Sequence, residues 1–275
     1  MGGALVQGIT SLSDVAPGSL TVADTDEKRL KELADMFKVN VTQDNREAMR
    51  GADLLVLAVK PQKMEEVLAG LDVSLAPEMT CVTIAAGIAT SFIEERLGKG
   101  VHVIRVMPNM PALIGEGAAA LCRGSYADDH DMKMARQIFD AVGITVEVNE
   151  EMMDAVTALS GSGPGYAFYI IEAFAEAGVR MGFDWDVSLK LISQSLAGAA
   201  KLCLKGKKHP AELKRMVATP GGTTIAGLKV MEDGNLKKMI ASVVEEATKR
   251  SAELGGRKYI PPHPAAPSSF SKTDS

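Results

Sequence analysis

Aromatic residues are scarce: Phe, Tyr and Trp make up 4% of the 275 residues, with one Trp. Single-stranded nucleic acid is held on aromatic platforms, so a channel of that kind is not expected. Positive charge is not in excess either. Lys and Arg number 30 against 35 Asp and Glu, for a net charge of −5. Such a chain has no basic field to draw in a phosphate polymer or an anionic lipid surface. Neither nucleic acid nor a membrane is therefore expected as a partner. The three cysteines, Cys81, Cys122 and Cys203, lie far apart in apolar stretches with no CxxC pair, and read as buried, reduced thiols. The four histidines share no metal-ligand spacing, so no metal site is expected. No apolar run approaches the roughly 18 residues that span a bilayer, and the first residues lack the basic and apolar regions of a secretory signal. These absences predict a soluble protein of a reducing compartment, the cytoplasm.

What is present falls into two regimes. Up to residue 148, short β-rich runs alternate with charged helical stretches. The runs are Ser19–Ala23, Val39–Val41, Asp53–Val59, Thr80–Ala85, Val101–Met107, Gly117–Leu121 and Thr145–Val148. Several are apolar throughout, as in Leu54-Leu55-Val56-Leu57, which fits strands covered on both faces. Helices are predicted over Asp26–Phe37, Gln62–Gly70 and Ser91–Leu97. The alternation predicts a doubly wound α/β domain with a parallel sheet over residues 1–148. After residue 150 the β signal vanishes. Six helices are predicted, over Met152–Leu159, Gly163–Met181, Asp186–Lys205, Ala211–Val217, Thr223–Met231 and Leu236–Leu254. They define an all-α domain over 149–255. Its alanine-rich faces suit either a dimerisation unit or an ordinary helical core. Residues 256–275, rich in Pro and Ser, read as a disordered tail.

In an open parallel sheet, ligands bind beyond the carboxyl ends of the strands. Three such ends carry unusual residues: Ala58-Val59-Lys60-Pro61, Ala85-Ala86-Gly87 and Met107-Pro108-Asn109. Ala85 and Ala86 would let a flat ring approach the backbone. Lys60 is placed to reach a phosphate or a ribose, or simply to face solvent. Asp24 closes an apolar strand where dinucleotide folds bind ribose hydroxyls. The other reading of this stretch is a helix cap at Asp24 or Thr25. The nearby Thr25, Lys28 and Arg29 would tolerate a 2′-phosphate, so NAD and NADP both stay open. The opening Met1-Gly2-Gly3-Ala4-Leu5 looks like the end of a glycine turn entering its helix. In the helical half, Thr219-Pro220-Gly221-Gly222-Thr223-Thr224 joins a glycine pair and two hydroxyls to a helix start, where free N–H groups can hold a carboxylate. Two plain helix caps are the alternative.

These residues together resemble pyrroline-5-carboxylate reductase over roughly residues 1–255. The run from Leu213 through Thr219–Thr224 to Glu232 carries most of the likeness. Asp154 to Pro164, Ala58–Pro61 and Arg105–Asn109 add to it. The resemblance implies a Rossmann domain followed by a helical domain that interlocks two chains, with rings of dimers in some members. It implies reduction of 1-pyrroline-5-carboxylate to proline, the last step of proline biosynthesis, by hydride from NADP(H), with NAD(H) as the alternative cofactor. By position it implies cofactor contacts at Asn45, Ala58, Lys60, Pro61, Ala85 and Ala86, and the strand ends and helix start read above add Met1, Asp24 and Val59 to that site. It implies substrate contacts at Glu150, Gly222, Thr223 and Thr224, with Thr224 as the catalytic hydroxyl. Met216 stands where some members carry an Asn. The family's first strand and its GxGxxM turn would precede Met1. Ser19–Ala23 and Asp53–Val59 are accordingly expected to lie apart, with poor dinucleotide binding. That expectation motivates a second reading, a non-catalytic chain that keeps the helical assembly domain. A third, a 3-hydroxyacid dehydrogenase, calls for a Lys after the Gly161–Gly165 cluster, where Tyr166-Ala167-Phe168-Tyr169 stand instead.

Overall fold

A computed structural model describes residues 1–72, 78–206 and 208–261. All seven expected strands form: β1 (Thr21–Ala23), β2 (Asn40–Thr42), β3 (Leu54–Leu57), β4 (Thr80–Thr83), β5 (His102–Met107), β6 (Gly117–Arg123) and β7 (Gly143–Glu147). Between them run α1 (Gly2–Thr10), α2 (Glu27–Phe37), α3 (Asn45–Met49), α4 (Met64–Gly70), α5 (Thr90–Leu97) and α6 (Asp129–Asp140). The sequence reading did not single out α3 and α6. Helix α6 is nonetheless well marked, because Asp128 and Asp131 form a reciprocal capping box at its start.

The sheet departs from the parallel expectation in two ways. First, β1 and β2 pair in parallel with each other, while β3-β4-β5-β6-β7 form a separate sheet. Thr21–Ala23 and Leu54–Leu57 thus lie apart, as the sequence reading expects. Second, β5 and β6 are antiparallel, whereas β3, β4 and β5 run in parallel and β6 runs parallel to β7. The connection explains this. Residues 108–116 hold only the single-turn segment Met110–Ile114, and a parallel return needs a crossover of about a dozen residues or more.

Both faces of the five-stranded sheet are covered. On one, Leu5 and Ile9 of α1 and Met132, Ala135 and Phe139 of α6 pack on Val82, Ile104, Val106 and Leu121. On the other, Met64 and Leu68 of α4 and Ile93 and Leu97 of α5 pack on Leu57, Cys81 and Val103. Alternation along β4 sends Cys81 to one core and Val82 to the other, so all four residues of the strand are buried. Farther along the second face, Ala120 and Cys122 of β6 meet Met153, which ties the helical half to the sheet.

That half comprises α7 (Met153–Val156), α8 (Gly163–Arg180), α9 (Trp185–Lys205), α10 (Pro210–Val217), α11 (Thr223–Asp233) and α12 (Leu236–Leu254). α12 packs on α7 and the turn after it, while α8 packs mainly on α9. This arrangement leaves wide apolar faces open, including Phe168, Tyr169, Trp185, Val230 and Met239. It also corrects the expectation for the cysteines: Cys81 and Cys122 are buried, but Cys203 on α9 is exposed. Among the described residues no helix is long and apolar enough to cross a membrane. The expected tail lies outside the described residues from 262 onward.

Candidate active site

Parallel pairing puts the carboxyl ends of β3, β4 and β5 on one edge. After β3 come Ala58 and Val59, then Lys60, exposed and extended, and Pro61, which opens a single 3₁₀ turn. After β4, Ala85 is buried and Ala86 exposed. Helix α1 starts at Gly2 with Met1 at its N-cap and no side chain capping it. A β-carbon on Gly2 would lie 3.7 Å from that of Ala58. The amino end of α1, the positive end of its dipole, therefore sits beside the end of β3.

Asp24 follows β1. Its Oδ1 accepts from the Asp26 N–H at 3.0 Å and its Oδ2 from Arg29 Nη1 at 3.3 Å. The cap of α2 is neither Asp24 nor Thr25. Asp26 takes that role, accepting from the N–H groups of Lys28 and Arg29, because the helix begins two residues beyond the reading that would make Asp24 its cap. Asn45 is the exposed first residue of α3, whose cap is Asp44. The edge suits a dinucleotide: an uncapped helix start for a pyrophosphate, a carboxylate beyond a strand end for a ribose, and small residues where a ring would lie.

Deeper in, Arg105 on β5 donates to Glu150 Oε1 at 2.5 Å, and Cys122 Sγ donates to Glu150 Oε2 at 3.1 Å. Arg105 and Cys122 are register partners across β5 and β6. Burial pushes the Cys122 thiol well above its ordinary range, and the Glu150 charge pushes it further against the opposing pull of Arg105. Arg105 was not among the expected site residues, although a lone arginine inside an apolar strand signals a buried partner. Asn109, beyond β5, donates through Nδ2 to the carbonyl and hydroxyl of Ser160, both at 3.3 Å, and accepts from the Ala118 N–H at 2.9 Å. Ser160 lies in a π-helical turn, Thr157–Gly161, a form common at functional sites. The third strand end thus meets the first glycine cluster of the helical half.

The second cluster forms a tight turn. The Gly222 N–H donates to the Thr219 carbonyl at 2.9 Å, Pro220 takes the second position, and Gly221 has φ +73°. This is a type II turn, whose third position favours glycine. Gly222 is pinned as well, since a β-carbon there would stand 2.6 Å from Thr219 Oγ1. The turn delivers Thr223 and Thr224 as the first residues of α11, again with no side-chain cap. Among the described residues α11 packs on α12, and no hydrogen bond or ion pair joins it to the strand ends. Among the described residues no hydrogen bond or ion pair thus ties Thr223 or Thr224 to Lys60 or Ala85 within one chain.

Comparison with known proteins bears on both halves. Residues 150–254 match the family described as pyrroline-5-carboxylate reductase dimerisation. Residues 1–87 match the family described as NADP oxidoreductase, coenzyme F420-dependent. The chain is 42% identical to a pyrroline-5-carboxylate reductase of Methanosarcina acetivorans, over 93% of this chain and 94% of that one. The structure of the Coxiella burnetii pyrroline-5-carboxylate reductase superposes with a TM-score of 0.87 at 33% identity, over 91% of this chain and 93% of that one. A Plasmodium falciparum pyrroline carboxylate reductase with NADP bound gives a TM-score of 0.81 at 30% identity, over 93% of this chain and 94% of that one. On sequence across nearly its whole length and on fold alike, this chain belongs to the pyrroline-5-carboxylate reductase family.

Proposed function

We propose that this protein reduces 1-pyrroline-5-carboxylate to proline with NADP(H), in the cytoplasm. The reading is carried by the chain's family together with two helix starts, at Gly2 beside the end of β3 and at Thr223, the latter with no side-chain cap among the described residues. The first would hold the pyrophosphate of the dinucleotide, with Met1, Asp24, Asn45, Ala58, Val59, Lys60, Pro61, Ala85 and Ala86 around the remainder. NADPH supplies the hydride when bound, and a relative of the same family carries NADP.

The second helix start would bind the substrate carboxylate through the N–H groups of Thr223 and Thr224, with Gly222 leaving room for close approach. Thr224 would turn its hydroxyl oxygen toward the protonated imine nitrogen and accept a hydrogen bond from its N–H. Glu150, held by Arg105, would line the substrate side. A protonated imine is already electrophilic, so the side chains need chiefly orient it. The carbon gains a hydride, the C=N double bond becomes a single bond, and the nitrogen keeps its proton.

Because α11 is not joined to the strand ends within one chain, a complete site is best met by two chains. The exposed apolar faces of α8, α9, α11 and α12 support a homodimer built on residues 149–255, with 1–148 as the dinucleotide domain. Consumption of NADPH on addition of 1-pyrroline-5-carboxylate, with proline identified as the product, tests the reading. Absence of proline would overturn it.

A further inference from the structure

The end of α12 comes back onto the sheet. After Leu254 the helix closes with the Gly256 N–H donating to the Glu253 carbonyl at 3.0 Å and the Arg257 N–H donating to the Ala252 carbonyl at 2.9 Å. Gly256 has φ +68°. These two bonds and the left-handed glycine make a Schellman closure, which turns Arg257 back along the helix. Its guanidinium then lies across Gly255, where a β-carbon would be 2.8 Å from the guanidinium carbon.

From there the guanidinium touches both halves of the molecule. Nη2 and Nε donate to the Asp154 carboxylate at 2.7 and 3.3 Å, a two-pronged grip on α7. Nη1 donates to the Gly87 carbonyl at 3.3 Å. Ser251 of α12 donates to the same carboxylate at 2.8 Å, so Asp154 is held from two sides. Gly87, at φ +77°, ends the Ala85-Ala86-Gly87 turn after β4. A β-carbon on it would lie 3.4 Å from the Gly255 nitrogen, so the two backbones nearly touch.

We propose that Arg257 is a positioning residue, a strap that sets the Ala85–Gly87 wall of the dinucleotide edge against the helical half. The inference rests on the reading of that edge as the dinucleotide site. Hydride transfer depends on the distance between a ring on the sheet and the substrate, and the strap joins the wall of the ring to α7, which follows Glu150 on the substrate side. Arg257 itself touches neither.

The test uses the full chain with Arg257→Lys, which keeps the charge but cannot bridge both partners. A second variant, Gly255→Ala, keeps Arg257 and displaces it sterically. Two readouts are taken. Both variants are expected to speed amide hydrogen exchange in the segment 84–92 without NADPH. They are also expected to lower kcat about tenfold, as small misplacements of reacting groups do, with a larger isotope effect from NADPH deuterated at the transferred hydrogen. A lowered melting temperature with unchanged exchange and kcat would show a merely structural contact and overturn the proposal. If the wild-type chain makes no proline, the functional reading fails separately and the exchange measurement alone decides the strap.

Discussion

Arg105 is 2% exposed, and its ion pair with Glu150 engages only one of its two terminal nitrogens. The other, Nη2, is buried and has no hydrogen-bond partner among the described residues. The pair links β5 to Glu150 near the start of the helical half, so an ion pair ties the two halves together.

Glu150→Gln should therefore cost more stability than an exposed pair would. It leaves the buried Arg105 charge facing a neutral acceptor, but Glu150 is 33% exposed, so the cost of about 3–5 kcal/mol for breaking a buried pair falls to about 1–3 kcal/mol. Urea unfolding should show a lower midpoint of that order. A loss under about 1 kcal/mol, the scale of exposed pairs, would show that the pair contributes little.

Thr224→Val should lower turnover of 1-pyrroline-5-carboxylate about tenfold, with folding unchanged. Among the described residues no side chain caps the start of α11, where Thr224 stands, which leaves that start open to a ligand. One hydrogen bond to a charged group is worth about 1.5–3 kcal/mol, which is about tenfold or more in rate. Wild-type kcat/KM in the Val variant would remove Thr224 from the mechanism.

Stability should fall in acid through Asp131, which is 2% exposed. Burial alone would raise its pKa. Hydrogen bonds from Thr80, from the Asp128 N–H and from His102 outweigh burial and hold it below the usual 3.8. With the folded value depressed, its contribution is present above the unfolded pKa and is lost as pH falls through the folded one. Thr80→Val removes one of those donors. Chemical unfolding between neutral pH and about pH 3 should show a shallower acid decline in that variant than in wild type. Equal slopes would exclude Asp131 as the source.

Self-association should depend on the open helical faces. Tyr169 and Val230 are 73% and 72% exposed in the single chain. Tyr169→Glu and Val230→Glu place a charge where an apolar partner face is expected, and a charge there is costly to bury. Light scattering should show the dimer giving way to monomer in at least one of the two. A dimer unchanged by both would move the interface elsewhere.

The strands were legible because an apolar run covered on both faces, such as Leu54–Leu57, has few other places to go. Helices α2, α9 and α12 carried their own spacing and punctuation. Helix α3 was too short to show a period, and α6 stood out only through its capping aspartates. The candidate site divides in the same way. Lys60, Ala85 and Thr223-Thr224 announce themselves by sitting at strand ends and helix starts. Arg257 lay in what reads as tail, and nothing local marks it as the partner of Asp154, 103 positions away.

The sequence by itself determined the seven strands, most of the helices, their order and the family. Hydrophobic period, glycine turns and caps act over a few residues and do not depend on the remainder of the chain. Only the tertiary structure decided which charged and polar groups meet in the interior. Those outcomes turn on contacts between residues distant in the chain: Arg105 with Glu150, Asn109 with Ser160, and Arg257 with Gly87 and Asp154. A buried polar group must find a partner, but the sequence near it does not say which one. The packing of the two halves brings that partner within reach.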